Sequence, residues 1–323
     1  NLQEIKLGIN KIILDCDPGH DDALAILLAL ASPTEIKCFG LTISAGNVSL
    51  ELTSKNALRV LSLINNKEIP VYKGCPKPLM GQLVTAEHVH GESGLDTGSG
   101  TSLPEPISNC EKKHAVNFIL ETLKINPENE ITLVATGPLT NLAAAFALDP
   151  ITFKKVKKIV LMGGAGFEPG NITPAAEFNI YVDPYAARSI FQSDIEIFMF
   201  GLDVTHKMIV TPHRLKEIEN CSEKVGPAVA DLLTFFNSYD AKKYGWEGAP
   251  LHDPCTIAWL IKPEIFEMKK MSVEVETNNG PAYGRTIADW FNVTNKNKNI
   301  NVAINGNSDE FFRLINNRLK LFS

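Results

Sequence analysis

Ile12-Ile13-Leu14-Asp15-Cys16-Asp17-Pro18-Gly19-His20-Asp21-Asp22 decides how this chain folds and marks where its chemistry sits. Residues 11–15 read as a buried strand, Pro18 and Gly19 turn the chain, and a helix starts at Asp21 or Asp22 and runs to residue 31. Four carboxylates fall within the eight positions from Asp15 to Asp22. An acid at a helix start gains about 0.3–1 kcal/mol from the helix dipole, which explains one aspartate and not four. Two unit charges 4 Å apart repel by about 1 kcal/mol in water and about 4 kcal/mol at the effective dielectric of a protein surface. Converging carboxylates therefore need a cation, or one of them must be protonated. A hard cation with oxygen ligands fits, with calcium and magnesium as the choices. The spacing and closing Glu of an EF-hand are missing. Asp15 ends the strand with parity opposite to Cys16 and is read as structural support.

Working outward, short β-rich runs alternate with helical patterns. Strands are expected at 36–43, 131–135, 158–162 and 195–200, and helices at 50–64, 115–124, 139–148 and 184–192. This alternation predicts a single α/β domain over residues 1–323, with a mainly parallel central sheet flanked by helices. Ligands in such sheets bind at the carboxyl ends of the strands, here near Asp15, Thr42, Ala135 and Met162. Residues 74–109, rich in Gly, Pro and Ser, read as a long binding loop. Residues 271–276 and 283–287 read as a hairpin about Asn278-Asn279-Gly280-Pro281, and 292–301 as an exposed polar connection.

Composition narrows the function classes. With 323 residues, 44% hydrophobic and 21% charged, the chain suits a soluble enzyme with a sizeable core. A net charge of -6 argues against a nucleic-acid partner, because phosphate backbones reward clustered Lys and Arg. The longest strictly apolar run, 23–31, spans roughly 14 Å as a helix, too short for a membrane. The six cysteines form no CxxC, which fits free thiols in a reducing compartment. A cytoplasmic location is therefore expected, with secretion after loss of a leader as the alternative.

Other motifs open competing readings. His88-Val89-His90 suggests zinc, but no third and fourth ligand can be matched to it. Gly163, Gly164 and Gly166 do not complete GxGxxG, and no GxxxxGK[ST] loop is present. A magnesium phosphohydrolase with Asp15 or Asp17 as nucleophile would also want a downstream Lys and a second acidic pair. A calcium-stabilised sugar- or nucleoside-binding protein is the non-enzymatic reading.

Asp15-Cys16-Asp17-Pro18-Gly19-His20-Asp21-Asp22-Ala23 resembles the signature of inosine–uridine-preferring nucleoside hydrolases. The resemblance continues through Thr42-Ile43-Ser44-Ala45-Gly46-Asn47, His88 to Gly94, Thr136-Gly137-Pro138-Leu139-Thr140-Asn141, Met162-Gly163-Gly164, Gly170 to Asn179, and Leu251-His252-Asp253-Pro254. It implies calcium-dependent hydrolysis of the N-glycosidic bond of ribonucleosides such as uridine, cytidine or inosine, in nucleoside salvage or catabolism. It implies Ca2+ held by Asp17, Asp22, Asp253 and the backbone carbonyl of Thr136, with Asp17 also taking a proton from a water activated by the metal. Asp21, Asn47, Asn171, Glu177 and Asn179 become ribose contacts, suited to hydroxyls that both donate and accept. His90 becomes a base contact. His252 becomes the group that contacts or protonates the leaving base, a role open to a histidine near its ordinary pKa of about 6.5. In the helix expected at 225–244, Val229, Leu232 and Leu233 read as core, while Phe236, Asp240 and Tyr244 continue toward His252 and line the base pocket. Asp240 is neither the aromatic nor the amide expected there, and base preference stays open. A homo-oligomer, dimer or tetramer, is a further implication.

Overall fold

The computed structural model describes residues 8–322. Nine strands, β1 (Asn10–Cys16), β2 (Ile36–Ile43), β3 (Val71–Lys73), β4 (Ile131–Ala135), β5 (Lys158–Met162), β6 (Ile197–Phe200), β7 (Phe266–Val275), β8 (Thr286–Asp289) and β9 (Ile300–Gly306), form one sheet. Its order is β3-β2-β1-β4-β5-β6-β9-β7-β8. Pairings from β3 to β9 are parallel, and β7 and β8 add an antiparallel edge.

The central strands are apolar on both faces because helices cover both. Ile12, Leu14, Val134 and Val160 point into one core, while Ile13, Leu133, Ile159 and Leu161 point into the other. The helices His20–Leu30, Leu50–Leu63, Val225–Tyr244, Pro254–Ile261 and Ser308–Leu319 supply the first core. Ala115–Ile125, Thr140–Leu148 and Pro184–Phe191 supply the second. Among the described residues no helix is long and apolar enough to cross a membrane.

The expected α/β architecture with a mainly parallel sheet is observed, with local differences. β1 runs on to Cys16, and the first helix begins at His20, where the Gly19 amide caps onto Asp22. The hairpin forms in register Val275↔Thr286, but its first strand begins at Phe266. The last residues of the stretch read as an exposed connection, Ile300 and Asn301, open β9. That strand is drawn inside because it pairs with β6 on one side and β7 on the other. Residues 74–109 are irregular apart from the short helix Glu87–His90.

Asp15 has the supporting place expected of it. It is buried, and its Oδ2 accepts from the Thr42 hydroxyl at 2.6 Å and the Asn141 amide at 2.9 Å. It thereby ties β1 to β2 and to the start of the helix Thr140–Leu148. Burial pushes its carboxyl up to about 7 despite those two donors. Asp15→Ala leaves both donors unpaired in the interior. It should lower unfolding stability by about 1–3 kcal/mol, read as a shifted urea midpoint with an unchanged slope. An unchanged midpoint would show that the two donors find other partners.

Candidate active site

The ends of β1, β2, β4 and β5 release their chains onto one side of the sheet, and a cleft of about 650 Å³, open mouth included, lies over them. Its floor is acidic. Oxygens of Asp21, Asp22 and Asp253 lie within 4.8 Å of one another, all three residues buried. Asp21 and Asp22 come from the first turn after β1, and Asp253 precedes the helix Pro254–Ile261. Asp22 is held firmly. Its Oδ2 accepts from the Gly19 amide at 3.0 Å and the Asn47 side chain at 3.1 Å, and its Oδ1 from the Thr136 hydroxyl at 2.8 Å.

Asp17 lies beside this trio, fully buried. Its Oδ2 accepts from the Asn47 backbone amide at 2.8 Å, while its Oδ1 has no partner. Only glycine fits against it. A Cβ on Gly46 would fall 2.1 Å from Asp17 Oδ2, and one on Gly137 2.6 Å from Oδ1. The converging trio thus contains Asp21, with Asp17 next to it, where the resemblance implies Asp17 as ligand and Asp21 as sugar contact.

The electrostatics of this floor are those of charges short of a counter-charge. Burial, then Asp22, raises Asp17 well above the carboxylate range. Burial, then Asp21, brings Asp22 to about 7, and burial with Asp21 and Asp22 raises Asp253 well above its ordinary value. An unpartnered buried carboxylate oxygen, a glycine-built cradle and an all-oxygen donor set fit a hard divalent cation. The Thr136 carbonyl, implied as a fourth ligand, accepts from the Asn179 side chain at 2.8 Å.

Around the floor stand the polar groups expected to meet a sugar. Glu177 is buried and accepts from the amides of Gly164, Asn179 and Ile180, and burial brings it to about 7. Asn47, Asn171, Glu177 and Asn179 all line the cleft. The Asn171 Oδ1 accepts from the Phe178 amide at 2.9 Å, so this side chain is partly committed to its own loop.

Above the floor the walls turn aromatic. Phe236 stacks on His90 (5.4 Å between ring centres) and on His20 (5.5 Å), and Tyr239 meets His88 edge-on. His20 Nε2 lies 2.7 Å from the Asp96 carbonyl, which can only accept. Burial lowers the His20 imidazolium to about 4, so the neutral ring carries its proton on Nε2. The Nδ1 atoms of His20 and His90 lie 2.9 Å apart, and the His20 backbone amide donates to His90 Nδ1 at 3.4 Å. Asp240 and Tyr244 continue the wall, one and two turns on from Phe236. Burial pushes Asp240 up to about 6, against the pull of Lys243.

His252 closes the other side. Its Nδ1 is 2.7 Å from the Thr205 hydroxyl, and His206 lies 5.9 Å away, ring to ring. Burial and then His206 push it down to about 3, so it is a neutral ring at neutral pH. This differs from the sequence-based expectation of a histidine near its ordinary pKa: burial and the nearby His206 disfavour the imidazolium, although the side chain still lines the cleft.

Sequence reasoning missed Tyr239 and Lys243, which also line the cleft. Both lie on the helix Val225–Tyr244, and helical spacing from Phe236 and Asp240 could have found them. It also missed how the loop after β5 is held. The Asp203 carboxylate accepts three successive amides, Gly166, Phe167 and Glu168, at 2.6–2.8 Å. The Arg285 guanidinium donates to the carbonyls of Gly166, Glu168 and Ala175 at 2.9–3.1 Å. That loop carries Asn171 to the cleft.

An acidic floor ringed by polar side chains and topped by aromatic walls suits a ligand that joins a polyol to a planar ring. The sequence profile described as inosine-uridine preferring nucleoside hydrolase matches residues 12–313. The chain is 47% identical to the pyrimidine-specific ribonucleoside hydrolase RihA of Klebsiella pneumoniae over 313 residues, covering 97% of this chain and 99% of that one. Among solved structures, the purine-preferring ribonucleoside hydrolase from Gardnerella vaginalis superposes with a TM-score of 0.88 at 32% identity, covering 97% and 99%. The plant nucleoside hydrolase PpNRh1 gives 0.87 at 34%, covering 96% and 99%. The chain belongs to the inosine–uridine preferring nucleoside hydrolase family, and it is a glycosidase acting on N-glycosyl compounds.

The double clamp on the β5 loop is testable apart from catalysis. Arg285→Met frees three carbonyls and should speed proteolytic cleavage within residues 166–175 by about tenfold or more. An unchanged cleavage rate would show that Asp203 alone holds the loop.

Proposed function

We propose that this enzyme hydrolyses the N-glycosidic bond of ribonucleosides such as uridine, cytidine and inosine to free base and ribose, with Ca2+ as its cation. The observation that carries this reading is the buried trio Asp21, Asp22 and Asp253, set under a cleft that has hydroxyl-binding groups below and aromatic rings above. Asp17, Asp22, Asp253 and the Thr136 carbonyl would hold the cation, with Asp21 close enough to share in it. When bound, the cation balances the carboxylates and makes a nearby water more acidic.

The chain's own groups then divide the work. Asp17 Oδ1, a buried oxygen without a partner, is the base that takes a proton from the attacking water. The water oxygen bonds to the anomeric carbon as the bond to the base nitrogen breaks, and the electron pair leaves with the base. Asp21, Asn47, Asn171, Glu177 and Asn179 hold the ribose hydroxyls. The surrounding carboxylates stabilise positive charge as it develops on the sugar, with no covalent glycosyl-enzyme. His90, Phe236, Asp240 and Tyr244 flank the base. If the Thr205 hydroxyl donates to His252 Nδ1, the neutral ring offers its Nε2–H to the departing base. The six free cysteines support a reducing, cytoplasmic setting, and salvage or catabolism of nucleosides is the corresponding role. The family resemblance supports a homo-oligomer, dimer or tetramer, which light scattering reads directly.

Incubation with uridine, cytidine and inosine should release reducing sugar, and exhaustive chelation should stop it until Ca2+ is restored. Undiminished hydrolysis after chelation would remove the cation from the reading. Phosphate release from a phosphomonoester, with no ribose, would favour a phosphohydrolase instead.

Two further outcomes follow from the assigned roles. Removing the 2′-hydroxyl strands buried polar partners at about 1–3 kcal/mol each. Deoxyuridine should therefore react at least about tenfold more slowly than uridine, and equal rates would refute the sugar contacts. His252→Ala should slow inosine strongly and barely touch p-nitrophenyl riboside, whose leaving group needs no hydrogen-bond donor. An equal loss on both would make His252 a group that positions the sugar.

A further inference from the structure

Asp240 is the one charged side chain of the aromatic wall that nothing holds. It is only 7% exposed, lines the cleft, and takes part in no hydrogen bond or ion pair among the described residues. Its neighbour Lys243 is engaged elsewhere. The Lys243 ammonium donates to the Asn171 carbonyl at 3.1 Å and lies over the rings of Tyr239 and Tyr244, 5.3 and 5.0 Å from their centres. A carboxylate this little exposed, opening on the cleft, is placed to take a donor from a ligand.

Phe236 stacks on His90 and lies one helical turn before Asp240, so the carboxylate borders an aromatic surface. A flat ring lying there meets the Asp240 carboxylate at its edge and needs to bring a donor.

We propose that Asp240 is a specificity-determining residue that selects nucleosides whose base carries an exocyclic amino group, such as cytidine or adenosine, over their oxo counterparts, uridine and inosine. An amino group projects clear of the ring and offers N–H donors to a carboxylate. In an oxo base a carbonyl oxygen stands in its place, and a carboxylate repels it. The uridine N3–H is no substitute, because carbonyl oxygens flank it on both sides. This inference rests on the ribonucleoside hydrolase reading and deepens it.

The test compares kcat/KM within the two pairs, cytidine against uridine and adenosine against inosine, for the Ca2+-loaded enzyme and for Asp240→Asn in mildly alkaline buffer. Whichever ring size the cleft takes, the amino member should lead by about tenfold, the worth of one charge-assisted hydrogen bond. In Asp240→Asn, whose amide both donates and accepts, that lead should shrink to about threefold or less. A wild-type enzyme that favours the oxo member overturns the inference without need of any variant. So does an equal loss on both members in Asp240→Asn, which would place Asp240 on the sugar. If none of the four nucleosides is hydrolysed, the functional reading itself fails, and the inference falls with it.

Discussion

Buried carboxylates repel, and the functional end of this molecule is arranged around that fact. The oxygens of Asp21, Asp22 and Asp253 lie within 4.8 Å of one another, with Asp17 beside them. Two charges at that distance repel by about 3–4 kcal/mol at an effective dielectric of 20. The burial that raises every one of these groups adds to the cost. The fold tolerates the cluster by spreading its supports. Gly19, Asn47 and Thr136 each donate to Asp22, and Gly46 and Gly137 give up side chains so that backbone can close on Asp17. Such a preorganised set is a good cation site and a poor structure without one.

The rest of the architecture follows from where the sheet lets that cluster sit. Parallel strands bring β1, β2, β4 and β5 to an end on the same side, so groups from distant parts of the chain meet over one floor. The antiparallel edge has its own task. The link between β7 and β8 delivers Arg285, which with Asp203 grips the β5 loop that carries Asn171. The helix Val225–Tyr244 supplies the wall above the floor. Floor and wall meet at His20, which opens the helix that carries Asp21 and Asp22 and stacks on Phe236.

Much of this was legible in the sequence because it is local. The apolar run before Asp15, the Pro18-Gly19 turn and the acids after it read as strand, turn and helix, and they do so in three dimensions. The face Val229, Leu232, Leu233 and Phe236 announced its helix by spacing alone. What was not legible depends on partners far away in the chain. Ile300–Gly306 is rich in Asn and follows a polar stretch, and it is a strand because β6 and β7 stand on either side. Asp203 and Arg285 bind backbone atoms, which leave no pattern in residue types. The lowering of His252 to about 3 comes from the packing around it and from His206, and the residue type gives no hint of it.

The central claim is that the aspartate floor is built for a divalent cation, and thermal unfolding of chelator-stripped protein across a Ca2+ titration tests it most directly. An ion that binds only the folded chain stabilises it in proportion to RT ln(1 + [L]/Kd). The account predicts a midpoint that climbs with Ca2+, calorimetric binding of one ion per chain, and loss of both effects in Asp22→Ala. Stripped protein that takes up no heat on adding Ca2+ and unfolds at an unchanged temperature would contradict it.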